Sequence, residues 1–101
     1  MNDRKPPQDC ADMVELRRAI DTLDMELVRL LRDRAAYIDR AVVLKQRIGW
    51  PARIASRVDE VVDNVRRRAA AEGLDPSLAE ALWRRIVDWS ISREARDIPE
   101  H

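Results

Sequence analysis

The chain has 101 residues, 38% of them charged and 4% aromatic, with only two glycines, which bounds it to one small domain and favours an all-α fold rich in Ala, Arg, Glu and Leu. Nineteen basic and nineteen acidic residues leave zero net charge, so the basic surplus that nucleic acid demands is missing. One cysteine, Cys10, excludes an internal disulfide, and one histidine, His101 at the last position, argues against a zinc site or a His-dependent mechanism.

Residues 1–11 carry adjacent prolines and mixed charge and read as a flexible arm. The opening Met-Asn-Asp-Arg-Lys-Pro-Pro has no apolar core behind it, and no apolar run reaches membrane-spanning length. A cytoplasmic location without a membrane partner is therefore expected.

Asp12 is suited to cap a helix, with Glu15 three residues on in a capping-box arrangement. From there to Arg47 no Pro or Gly intervenes. The spacing predicts one helix of about 36 residues, near 54 Å long. Leu16, Ile20, Leu23, Leu27 and Leu30, then Arg34, Tyr37, Ala41 and Leu44, recur in steps of four and three. This is a coiled-coil seam with an arginine set into it. A second stripe, including Val28, Leu31, Ala35, Ile38 and Val42, makes the helix apolar over more than one face. The remaining residues are too few to wrap such a rod, so a homodimer with the long helices packed on each other is expected.

Gly49-Trp50-Pro51 ends the helix. Residues 48–53 form a short loop, expected to be mobile because it joins two pocket-lining helices. A second helix is predicted from about Ile54 to Glu72, with Val58, Val61, Val62, Val65 and Ala69 as its buried stripe and Gly73 as its stop. Its cluster Arg66-Arg67-Arg68 reads as a solvated face near a helix C-terminus. Asp75-Pro76-Ser77 opens a third helix to about Arg96, with Leu78, Leu82, Ile86 and Trp89 on one stripe. Trp50, Trp83 and Trp89 are expected in the core or at a subunit contact. The domain spans residues 12–97, and the tail at 98–101 is expected to fray after Pro99.

Four cations stand in or beside these apolar stripes: Arg17, Arg34, Lys45 and Arg57. Arg34 and Lys45 lie eleven residues apart, which returns to the same helix face after about 16 Å. Two long side chains at that spacing can hold a small anion between them. Arg17 lies about 25 Å before Arg34 and is rotated by roughly 100°, so it cannot serve that pocket within its own chain. In an antiparallel dimer it reaches the partner's pocket. Arg57 opens the second helix and is placed to close the site. On the third helix Ile86, Ser90 and Glu94 share a face. Converging cations in a half-buried cavity suit a dicarboxylate. Any one of these side chains taken alone is equally suited to running its stem along the helix and keeping its charge in water.

These residues resemble the all-helical class of chorismate mutases. Leu16-Arg17-Arg18-Ala19-Ile20-Asp21-Thr22-Leu23-Asp24 is similar to the family's opening pattern. Arg34 matches the arginine after its apolar run, Lys45 its catalytic lysine, Arg57 the arginine opening the second helix, and Ser90 and Glu94 the serine and Gln/Glu of the third. The resemblance covers about residues 8–97. It implies a dimer of three-helix chains with two shared active sites. Arg17 of the other subunit and Arg34 would grip the substrate's two carboxylates, assisted by Arg57 and Ser90. Lys45 and Glu94 would flank the ether oxygen. The implied reaction is a pericyclic rearrangement of chorismate to prephenate that needs no nucleophile, metal or cofactor. Its acceleration would come from holding a near-attack conformer and from donors placed where charge grows.

Two residues depart from the common mutase pattern. Glu94 stands where many members have Gln, and must carry a proton to donate to the ether oxygen, so activity is expected to fall as pH rises. Val58 stands where many mutases place a Glu. An apolar residue there is similar to the isochorismate pyruvate lyase branch, as are Pro7-Gln8-Asp9-Cys10 and Trp89. The unbroken twelve-residue step from Lys45 to Arg57 follows the mutase spacing. Three functions stay open: chorismate mutase, isochorismate pyruvate lyase yielding salicylate and pyruvate, and a non-catalytic helical dimer. That spacing favours the mutase over the lyase, and the four cations argue against the third, since a scaffold has no need of all four at these spacings.

Overall fold

A computed structural model describes residues 4–101. After a single 3-10 turn at Pro7–Asp9 come α1 (Met13–Ile48), α2 (Ala55–Ala71) and α3 (Pro76–Glu94), with no strand among the described residues. The chain is all-α, with the three helices expected from its periodicity. None is long and apolar enough to cross a membrane.

The helix ends follow their sequence signals. The Asp12 carboxylate accepts from the Glu15 N–H at 2.9 Å. Glu15 reaches back one residue further than a capping box would, to the Ala11 N–H at 2.9 Å. That bond, with Lys5 beside it, holds the Glu15 carboxyl below the usual range. Gly49 and Gly73 stop α1 and α2 with φ of 72° and 75°, values that other residues rarely adopt. Beyond them Trp50 N–H bonds the Lys45 carbonyl at 2.9 Å and Leu74 N–H the Ala69 carbonyl at 2.8 Å. Both are the six-to-one bonds of a Schellman stop. Asp75 caps α3 through the Ser77 N–H at 2.9 Å, with Pro76 in its first turn. The third helix stops two residues before its expected end, as Asp97 and Ile98 N–H turn back onto the Glu94 carbonyl at 3.0 and 3.1 Å.

The chain divides into two compact units, Met1–Ala36 and Tyr37–His101, and α1 contributes to both. In the first unit the arm is tied to α1 by Arg4–Glu26 at 3.0 Å and Lys5–Glu15 at 3.1 Å. Among the described residues its apolar seam is largely open: Ile20, Leu23, Leu27 and Leu30 are all exposed, Leu30 by 63%.

The second unit holds the core. Val42 of α1, Ala52 of the loop, Val87 and Ile91 of α3 and Ile98 after it form the buried cluster, with Val58, Val61 and Ala95 packed against it. Farther along α2 and α3, Val62, Ala69 and Ala79 are buried as well. The members are aliphatic, and among the described residues no large side chain is fully buried. Trp50 and Trp89 are half exposed, contrary to a place in the core of the single chain. Hydrophobicity sets their tendency to be covered, but not by what. Ion pairs lace the surface: Glu80 accepts from Arg84 at 2.8 Å and Arg66 at 2.6 Å, which holds it below the usual carboxylate range. Asp39 of α1 takes both arms of Arg93 of α3 at 2.5 and 2.9 Å, with the same effect on its own titration.

Candidate active site

Lys45 sits in the last turn of α1, and Glu94 is the last residue of α3. The second unit brings them together: Lys45 Nζ lies 2.7 Å from Glu94 Oε1. Glu94 is only 4% exposed and Ser90, one turn earlier, 3%. A carboxyl group in such a place is costly unless a cation or donors meet it. Here the lysine meets it end-on to α3.

The directions of the contacts matter as much as the lengths. Lys45 Nζ donates a directed hydrogen bond to the Ala52 carbonyl at 2.9 Å. Its approach to Glu94 Oε1 is close enough for charge pairing, but Oε1 has no hydrogen bond of acceptable direction. The pair attracts by charge while one buried carboxyl oxygen keeps a hydrogen-bonding position unfilled. Ser90 Oγ donates to the Ile86 carbonyl at 2.8 Å, the usual resting bond of a helical serine.

The other predicted residues are placed separately. Arg57, on the first turn of α2, pairs with Glu60 three residues on and is exposed; its guanidinium is not drawn to Lys45 in this single chain. In the first unit Arg17 is exposed on α1, whereas Arg34 is half-buried. An arginine in the seam therefore does not hang in open water.

Two partners escaped sequence reasoning. The Ala52 carbonyl has no side-chain signature. Glu60 did have one, since an acid three residues after Arg57 on a helix is a standard ion-pair spacing. Two cavities of about 280 and 290 Å3 lie elsewhere: one beside the arm around Lys5, Glu15 and Arg18, the other between α2 and α3 around Ala69, Leu74 and Trp83. Neither is lined by a predicted site residue. The apolar lining of the second and the mixed charges of the first give no convergent set of donors for a dicarboxylate.

Comparison with known proteins bears on this arrangement. The sequence pattern of the family described as chorismate mutase type II matches residues 16–95. A protein of Pseudomonas aeruginosa named isochorismate pyruvate lyase is 33% identical over 95 residues, covering 91% of this chain and 90% of that one. A protein of Enterobacter agglomerans named T-protein is 31% identical over 84 residues, covering 83% of this chain but 22% of its own length. The family pattern takes in almost all of α1, all of α2 and α3, and with them Arg17, Arg34, Lys45, Arg57, Ser90 and Glu94, so the chain belongs to the type II chorismate mutase family.

Proposed function

We propose that this protein is a chorismate mutase, converting chorismate to prephenate in a homodimer. The observation that carries the reading is the buried meeting of Lys45 Nζ with Glu94 Oε1, an oxygen that keeps a hydrogen-bonding position open. A substrate ether oxygen drawn to this point would take a charge-assisted bond from Lys45. It would take a second from Glu94 when that carboxyl carries a proton. Negative charge grows on the ether oxygen as its bond to carbon lengthens. Fixed donors in a water-poor site are then worth more in the transition state than in the ground state. Arg34 and, from the other subunit, Arg17 would hold the two carboxylates, with Arg57 and Ser90 assisting. Arg57 would have to exchange Glu60 for substrate, a small loss for so exposed a pair.

The dimer is part of the proposal. The exposed seam of α1 supports it, since a row of Ile20, Leu23, Leu27 and Leu30 left in water forfeits the stabilisation that burial brings. So does the position of Arg17, exposed on α1 about 25 Å along the helix from Arg34. The cytoplasm is the proposed location.

One observation favours a second reading, isochorismate pyruvate lyase: the likeness to a protein of that name runs along nine-tenths of both chains. Val58, the residue similar to that branch, packs against the core cluster, so its apolar character also serves packing. The mutase stays the favoured reading on the spacing from Lys45 to Arg57.

Incubating the purified protein with chorismate and, separately, with isochorismate, and identifying products by chromatography and mass spectrometry, tests the proposal. Prephenate from chorismate is expected. Salicylate and pyruvate from isochorismate, with no prephenate from chorismate, would move the assignment to the lyase. No product from either would leave a non-catalytic dimer.

A further inference from the structure

We propose that residues 98–100, which follow α3, act as a strap that positions Lys45. This rests on the reading of Lys45 as a donor to substrate. The tail expected to fray is instead docked. Ile98 is 7% exposed within the cluster of Val42, Ala52, Val87 and Ile91. Behind that plug, the Pro99 carbonyl accepts from Ala52 N–H at 2.8 Å and the Glu100 carbonyl from Arg53 N–H at 2.7 Å. The Arg53 guanidinium adds contacts to Glu100 at 3.3 Å and to Asp88 of α3 at 3.9 Å.

Ala52 is thereby gripped on both sides. Its N–H is held by the strap, and its carbonyl receives Lys45 Nζ. The contacts close a ring: Lys45 to the Ala52 carbonyl, Ala52 N–H to Pro99, Ile98 N–H to the Glu94 carbonyl, and Glu94 Oε1 back to Lys45. Every side chain and peptide in that ring belongs to the second unit.

The physical need for the ring lies in lysine itself. Its ammonium ends a flexible four-carbon stem and has no geometric preference of its own. The position of Nζ is set by whichever acceptors are fixed around it. Glu94 fixes one direction through the rigidity of α3. The directed hydrogen bond of Lys45 goes to a loop carbonyl, and a loop carbonyl is fixed only if the loop is. The strap supplies that, and a misplacement of about 1 Å at a reacting group is enough to cost roughly a hundredfold in rate. Residues 99 and 100 are positioning residues in this account, acting through backbone carbonyls, so that their side-chain identities matter little.

A chain ending at Ile98 keeps the core plug and loses both carbonyl acceptors. Three readouts on this variant and the full chain decide the matter: amide exchange at Ala52 and Arg53, the acetylation rate of Lys45 relative to Lys5, and steady-state kinetics. We expect unchanged helicity, amide exchange and relative Lys45 acetylation each faster by about tenfold, and kcat lower by about tenfold with KM within about threefold. A merely structural role would lower the melting temperature without raising Lys45 acetylation in the native state. Should the shortened chain fail to fold, Pro99→Gly keeps every backbone heavy atom of the strap while loosening its φ and the residue before it. It is expected to shift exchange and acetylation in the same direction. Unchanged exchange and acetylation in the folded variant would overturn the proposal, as would faster acetylation with unaltered kcat. If the full chain converts neither chorismate nor isochorismate, the proposed function is what fails, and exchange and acetylation still decide whether the strap positions Lys45.

Discussion

The two units use hydrophobic residues in opposite ways. Tyr37–His101 buries a cluster of aliphatic side chains and closes it with Ile98. Met1–Ala36 leaves Ile20, Leu23, Leu27 and Leu30 exposed. The first arrangement is a core. The second is an open apolar stripe on the 36-residue α1, which supports the proposed packing of that helix against another subunit. The chemistry divides along the same line. The second unit carries the finished Lys45–Glu94 contact, and the first carries arginines whose proposed use lies in a pocket shared with another subunit.

The comparison breaks first if the seam is not an interface. Replacing Leu27 and Leu30 together by Glu places two carboxylates in it. Burying them without partners costs several kcal/mol, so the dimer is expected to weaken by at least about a thousandfold. Sedimentation would then show monomers, and turnover would vanish with them. Lys45→Ala strikes only the second unit. It is expected to lower kcat by roughly a hundred- to a thousandfold, the usual loss on removing one transition-state donor, with the dimer intact by sedimentation. Retained turnover would refute the role of Lys45.

Glu94→Gln supplies the N–H donor at every pH. The wild-type rate is expected to fall toward alkaline pH and the variant's to stay level, with rates within about tenfold at neutral pH. A wild-type profile without an alkaline loss, or the same profile in both proteins, would remove the proton from the mechanism.

The smallest effect belongs to Asp39→Asn, which unties α1 from α3 on the surface of the second unit. Arg93 depresses the Asp39 titration, so its contribution is present above the ordinary carboxylate range near 3.9 and is lost as pH falls through the depressed value. Thermal melts should place the wild type slightly above the variant at pH 5–7. The two should merge near pH 2. A gap that widens in acid would contradict this sign.

Much of the fold was legible because its punctuation is chemical. Asp12, Gly49, Gly73 and Asp75-Pro76 each act through their own side chain or their lack of one, so their roles survive in the bare sequence. The meeting of Lys45 and Glu94 was legible only through family resemblance, since no periodicity on either helix says where the ends of α1 and α3 come together. The strap was illegible for a different reason. Its bonds join backbone to backbone and carry no residue code. The one hint was an isoleucine standing alone between Asp97 and Pro99, too little to outweigh the ordinary fraying of a terminal segment. The loop at 48–53 was expected to be mobile because it joins two pocket-lining helices, and the same bonds tie its Ala52 and Arg53 to residues 99 and 100.

The central claim is that each site takes Lys45 from one subunit and Arg17 from the other, and mixing two inactive variants tests it directly. Arg17→Ala and Lys45→Ala dimers each have both sites damaged. Unfolded together and refolded at equal concentration, they pair at random, so about half the dimers are hybrids, each with one intact site and one doubly damaged site. The account predicts recovery of roughly a quarter of wild-type turnover from two preparations that are separately inactive. If Arg17 and Lys45 serve the same site within one chain, every site in every hybrid keeps one lesion, and a mixture that stays inactive while refolding to native dimers would contradict the account.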